Sequence, residues 1–393
     1  GLEPMPYPLR WILIAAVWLL AAAAIWSRRD SSGQTSRVFQ EPAVTHSASD
    51  VVYSEEIINP AQGLPMVHVA SLAEMSDGLL AAVWYGGSSE CAPDVKIYFS
   101  ERDAHSPSYW SAPRAIMTRK QAEKDLGLPV KSLGNAVLLA GPGASLRLLF
   151  DTIAMGRWSG SQLNSSLSRD GGATWAPSER LSLSPFFNFS ELVRNRPVAL
   201  RSGGWCVPIY QEFLGKFPEL LWLQERKDQD GKLISEKSRI AGGCSSFQPS
   251  LIPLGEESAV VLLRDYTEAR KIFLSRTEDG GRTWKAREAT ALPNPDAGIS
   301  GLKLTDGRLL VALNNSAKDR STLALAVSED QGRHWKELAT LENQAGSTFS
   351  YPYLMRSSDG LIHMAYTWKS KEIKMVSFNE AWIQAQEAKI TQP

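Results

Sequence analysis

The chain has 393 residues, 43% of them apolar, and its 42 Lys and Arg balance its 42 Asp and Glu. That length and apolar content can bury a large core, as two ordinary domains or as one big β architecture. The neutral balance gives no overall basic excess of the kind a nucleic-acid partner normally needs.

Residues 1–8 precede an apolar run at 9–26, "LRWILIAAVWLLAAAAIW", interrupted only by Arg10. This predicts an N-terminal transmembrane helix, with Trp11, Trp18 and Trp26 at interfacial positions. The alternative is a secretory signal cut in the alanine run at 21–24, which would release the protein. Both readings export the remainder, to a periplasm or cell surface if the helix stays. Residues 27–50 are polar and rich in Ser and Thr, the composition of a flexible tether. Cys91, Cys206 and Cys244 are odd in number and widely separated. That excludes a dense disulfide framework, and the spacing matches no zinc site; no cofactor is implied.

From 51 to about 380 the chain repeats a turn followed by a β-type run: "DGLLAAVWYGG" at 77, "GASLRLLFD" at 143, "GGWCVPIYQE" at 203, "EESAVVLLRD" at 256, "DGRLLVALNN" at 306 and "DGLIHMAYTW" at 359. Each copy is flanked by further short apolar runs, such as "QPSLIPL" before and "TLALAVS" after, with a weaker fourth. Six such units without helical periodicity predict an all-β, six-bladed propeller. "DVVYSEEII" at 50–58 can supply the outer strand of the last blade and close the ring. Residues 381–393 read as a tail.

Three octets follow third strands: "SRDGGATW" from Ser168, "TEDGGRTW" from Thr277 and "SEDQGRHW" from Ser328. The Ser or Thr and the Asp can accept from turn N–H groups, the Gly tolerates positive φ, and the Trp can pack between blades. A motif recurring three times in one ring is structural punctuation rather than a catalytic site.

These Asp-boxes on six units resemble the sialidase (neuraminidase) superfamily. "WYGGSSECAPDVKIYFS", "LPNPDAG", "LTDGRLLVALNN" and "FSYPYLMRSSDGLIHMAYTW" resemble, more narrowly, BNR repeat-like proteins described as exo-α-sialidases. The resemblance implies arginines gripping a substrate carboxylate, a tyrosine nucleophile paired with a glutamate, and an acid/base carboxylate on a first-blade loop. On these grounds Arg264 and Arg320 correspond to the second and third arginines, and Tyr351 to the nucleophile. Glu90 and Asp94 in "SSECAPDV" compete for the acid/base role.

Three positions depart from the pattern. Gly63 in "QGLPMV" stands where the first arginine is expected, Thr367 in "MAYTW" where that arginine's glutamate is expected, and Gln248 in "FQPSL" where the tyrosine's glutamate is expected. A glutamine cannot act as a base, so Glu212, at the end of its unit's second strand, becomes the candidate partner of Tyr351. Asn135, Arg194 and Gln248 join the candidate substrate contacts, as does His68, which lies near the expected pocket rim; His363 reads as a core histidine. The implied function is exo-cleavage of a terminal acidic sugar from an envelope or extracellular glycan. The alternatives are a hydrolase or lyase acting on a uronic acid, and a non-catalytic glycan-binding propeller beside polysaccharide-assembly partners.

Overall fold

The computed structural model describes residues 12, 15–21, 37–41, 43–44 and 49–391, apart from 61, 103–108, 185–187, 227–230 and 242. Most of 9–26 therefore lies outside the described residues. Among those described, no helix is long and apolar enough to cross a membrane.

Six antiparallel sheets form the blades. Their innermost strands are Met66–Glu74, Ser132–Ala140, the split pair Leu192–Val193 and Val198–Ala199, Ser246–Pro253, Ser300–Lys303 and Phe349–Arg356. The second strands are the six repeat phrases, and they are almost wholly buried: Leu80–Gly87, Leu146–Ile153, Trp205–Gln211, Ala259–Asp265, Leu309–Leu313 and Ile362–Trp368. Continuous apolar runs suit these strands because each is covered on both faces by neighbouring blades. The fourth strands are weaker, as short as Glu179–Arg180 in blade 2.

Blade 6 takes its outer strand from the other end of the chain. Tyr53–Ile57 pairs antiparallel with Glu372–Phe378, in register Tyr53 to Phe378. The edge that would otherwise template aggregation is thus used internally.

The three octets are turns between third and fourth strands. Ser168 Oγ accepts from Gly172 N at 2.8 Å, Asp170 Oδ1 accepts from Thr174 N at 2.9 Å, and Trp175 Nε1 donates to Gly172 O at 3.0 Å. Hydrogen bonds from Thr174 and Ser168 hold the Asp170 carboxyl down to about 2. Trp175 meets Phe99 of blade 1 edge-on at 6.4 Å. The same pattern recurs at Thr277–Gly281 and Ser328–Gly332.

Two stretches read as a tether and a tail carry structure. Phe39 is 2% exposed and stacks on Trp222 of blade 3 at 6.1 Å, while Gln40 N donates to Ala199 O. Residues Glu380–Thr391 form a helix that buries Trp382 and Ile383 against blade 6. The three cysteines are free.

Candidate functional site

Four innermost strands break their ladder near the start: between His68 and Ser71, Leu133 and Ala136, Phe247 and Ser250, and Ser350 and Tyr353. In three of these bulges a non-glycine residue takes positive φ: Val69 at 52°, Gln248 at 48° and Tyr351 at 56°. Such backbone costs on the order of 1–3 kcal/mol per residue and persists only where its surroundings hold it. Pro249 and Pro352 suit these positions because a bulge needs no ladder N–H there.

The surroundings that hold them are hydrogen bonds from other blades. Asn195 Nδ2 donates to Gln248 O and Pro249 O at 2.9 and 2.8 Å. Arg194, 1% exposed, donates to Ile299 O and Pro352 O, both at 2.6 Å. Burial lowers its pKa to about 10. Arg194 is therefore a floor strut joining blades 3, 5 and 6, with its guanidinium 5.2 Å from the centre of the Tyr351 ring. Gly298 makes room for this: a Cβ there would sit 2.8 Å from Tyr351 Cδ1 and 3.0 Å from Arg194 Cζ.

Tyr351, partly exposed, is the centre of the cluster. His68 meets its ring edge-on at 4.7 Å, and Arg320 Cζ lies 5.3 Å from the ring centre. Arg264 lies close enough to the phenol to stabilise its anion. Burial raises the phenol's pKa, but Arg264 and Arg320 more than offset it, so it ionises below the ordinary tyrosine value.

Arg264 is itself oriented on two sides, donating from Nε to Asp296 Oδ1 at 2.7 Å and from Nη1 to Gln248 Oε1 at 2.9 Å. Arg320 donates to Asp296 O at 2.9 Å. Gln248 Nε2 and Asn135 Nδ2 both donate to Tyr210 Oη at 3.1 Å. Gln248 and Asn135 thus form a second layer beneath Arg264. Asp151 lies deeper, fully buried, and burial pushes its carboxyl well above the usual range.

Across the cluster, His68 Nδ1 lies 3.1 Å from Thr367 Oγ1, which also accepts from Val69 N at 3.0 Å. His68 Nε2 lies 3.2 Å from Glu90 Oε1. The His68 contact lowers the Glu90 carboxyl against the opposing effect of burial. Thr367, one of the departures from the sialidase pattern, therefore orients a histidine rather than an arginine.

The two carboxylates that competed on the first-blade loop separate. Glu90 faces the cluster, whereas Asp94 is exposed and accepts from Ser88 N and Oγ at 2.9 and 2.8 Å, closing its own loop. Glu212 does not bond Tyr351. It lies 3.5 Å from Lys216, and burial raises its carboxyl despite Lys216 and Arg264. The spacing that gave it second-strand equivalence with Arg264 did not register the lysine four residues on. Asn195, Asp296 and Tyr210 escaped the sequence reading because each acts on a partner in another blade or loop; the one signal was the repeated aromatic-or-Gln-then-Pro pattern of the bulges. His363 lies in the core between Ser357 and Ser377, and burial lowers its pKa to about 4.

Known structures share this architecture. The chain is similar to the Hadza microbial sialidase Hz136 at 17% identity and a TM-score of 0.67, covering 82% of this chain and 68% of that one. It is similar to the intramolecular trans-sialidase from Ruminococcus gnavus at 13% identity and a TM-score of 0.64, covering 86% and 99%. A protein of unknown function from Dyadobacter fermentans aligns at 13% identity and a TM-score of 0.63, covering 83% and 97%. No curated protein matches. The BNR repeat-like domain matches residues 78–364, well over half of the chain. A six-bladed ring with Asp-box turns, matched over that span, belongs to the BNR repeat-like family.

Proposed function

We propose that the protein is a glycosidase of the sialidase type that removes a terminal acidic sugar from an envelope or extracellular glycan. The observation that supports it is the Tyr351 phenol, held below its ordinary pKa between Arg264 and Arg320, opposite a His68–Glu90 pair. An anomeric carbon that bears a carboxylate repels an anionic nucleophile, which is the reason sialidases use tyrosine. The two arginines let Tyr351 act without a glutamate base, so Gln248 becomes a support for Arg264 rather than a defect. Their outward N–H groups bind the sugar's acid group through charge-assisted hydrogen bonds.

The proton for the leaving oxygen comes from the His68–Glu90 unit. Thr367 and Glu90 engage the two ring nitrogens of His68, so that His68 holds Glu90 in place and the Glu90 carboxyl delivers and recovers the proton. Export by the segment 9–26 would present this pocket to glycans outside the cytoplasm.

The test is product release from aryl sialosides, related nine-carbon acidic sugars and uronides by the full chain. Turnover of a nine-carbon acid is expected, falling to background in Tyr351→Phe and by about 10²-fold or more in His68→Asn and Glu90→Gln. Uronide turnover alone would transfer the same residues to a uronic acid. Tight binding of every ligand with no product would make the propeller a glycan-binding module and overturn the enzymatic reading.

A further inference from the structure

The innermost strands all run from the Tyr351 cluster toward the opposite face of the ring. Their far ends, Glu74, Ala140, Ala199, Pro253, Lys303 and Arg356, surround the other mouth of the central channel. A cavity of about 250 Å³ opens there, with a smaller pocket of about 50 Å³ sharing its Gln40, Glu41, Arg196 and Arg356 wall. Gln40 and Glu41 come from the segment that docks through Phe39.

The charges in this wall do not balance. Lys303 is taken by Glu41 and by Leu254 O, and Glu74 accepts from Ser358 N and Oγ. Arg356 gives Nη2 to Glu380 at 2.7 Å, leaving its Nε sealed from solvent without an acceptor. Arg196 has no acceptor for Nε, and among the described residues no carboxylate pairs with it. Burial depresses its pKa and Arg356 adds to the effect, Tyr353 opposing them only in part, so the charge is left without a carboxylate to balance it. Arg194, two residues earlier, shows the contrast, since its N–H groups end on carbonyls and on Asn195.

A guanidinium left like this in a half-apolar wall is destabilising until an oxygen acceptor joins it. Leu72, Leu138 and Met355 supply the apolar part of that wall and strengthen any charge pairing inside it. We propose that the back mouth of the channel is an oxyanion-binding site in which Arg196 and Arg356 together hold a carboxylate, sulfate or phosphate group. The planar donor edges of arginine fit such a group in pairs. The cavity is smaller than the 300 Å³ or more typical of drug-sized ligands. It therefore suits an inorganic oxyanion or one sugar acid, not a polymer segment.

The experiment is calorimetric titration of the full chain with sodium sulfate, sodium phosphate and sodium glucuronate, at ionic strength matched with chloride. Because Arg264 and Arg320 also bind anions, Arg320→Met serves to silence the front site. Binding is expected to persist in Arg320→Met and to weaken about tenfold or more on adding Arg196→Met or Arg356→Lys, as for loss of a charge-assisted hydrogen bond. Sulfate or phosphate binding without glucuronate assigns a free inorganic anion, and the reverse assigns a sugar acid. Crystals soaked in sulfate or bromide should show density beside Arg196, a readout that needs no variant. Loss of all binding in Arg320→Met alone, or binding indifferent to Arg196, would overturn the proposal. Neither outcome bears on the front site's activity.

Discussion

A phenol removed from water ordinarily ionises less readily, because burial disfavours the anion. At Tyr351 two guanidinium groups reverse that order, and the reversal can be measured apart from catalysis. Ultraviolet difference titration of the protein against Tyr351→Phe isolates this phenol. In Arg320→Met its ionisation should move to higher pH, and an unmoved midpoint would remove Arg320 from the electrostatic account. His363 offers a second test on the same scale. Its folded pKa of about 4 lies below the ordinary histidine value, so the stability it contributes is present above pH about 6.5 and lost as pH falls toward 4. His363→Gln, which can keep a hydrogen bond to Ser357 or Ser377, should flatten that decline by on the order of 2–3 kcal/mol in denaturant midpoints compared at pH 7 and pH 4. Equal slopes for variant and parent would show that His363 does not titrate with unfolding.

Elements, rather than single side chains, decide what the octets do. Gly172 has φ of 88°, and a Cβ there would lie 2.7 Å from the Phe99 ring. Gly172→Ala should therefore lose about 2–4 kcal/mol, combining backbone strain with a clash against blade 1. Asp170→Ala should lower the unfolding midpoint by less than Gly172→Ala does, through the lost bonds to Thr174 N and Ser168. Neither should change kcat, since the turns lie at the end of the blade away from Tyr351; a kcat loss at unchanged stability would contradict that placement. This level was legible in the sequence because turn residues and Trp recur at fixed offsets within each unit. The bulges that carry Val69, Gln248 and Tyr351 were not. Their positive φ is held by partners such as Thr367, whose Oγ1 accepts from Val69 N 298 residues away, and no local pattern encodes that distance. The resemblance to sialidases, laid on the blade register, named Arg264, Arg320, Tyr351 and Glu90, and the structure gathers them with His68 in one cluster. Choosing between Glu90 and Asp94 required knowing that Ser88 claims Asp94, and Glu212 was misassigned because Lys216 folds back upon it.

On the scale of the whole molecule, the segment near Phe39 shows what composition conceals. Its polar neighbours read as a tether, yet one aromatic ring fills a gap beside Trp222 and ties residues 37–41 to the face away from the pocket. Phe39→Ala should lose about 3–5 kcal/mol, seen as a lower midpoint in chemical unfolding. A chain shortened to begin at Arg37 should keep the parental midpoint, whereas one beginning at Pro60 lacks the closing strand and should fail to fold cooperatively. Normal folding of the shorter chain would show that blade 6 is complete with three strands.

That closing strand also imposes an order on synthesis. Val52 hydrogen-bonds Asn379, 327 residues further along. At about 5–20 residues per second the strand leaves the ribosome roughly 15–65 s before its partner exists. For that interval five blades can form while the ring stays open, with Tyr53–Ile57 waiting as an unpaired ribbon. Growth conditions that slow translation lengthen the wait, and they make this short strand the point at which a nascent chain is most exposed to chaperones, proteases or a neighbouring copy.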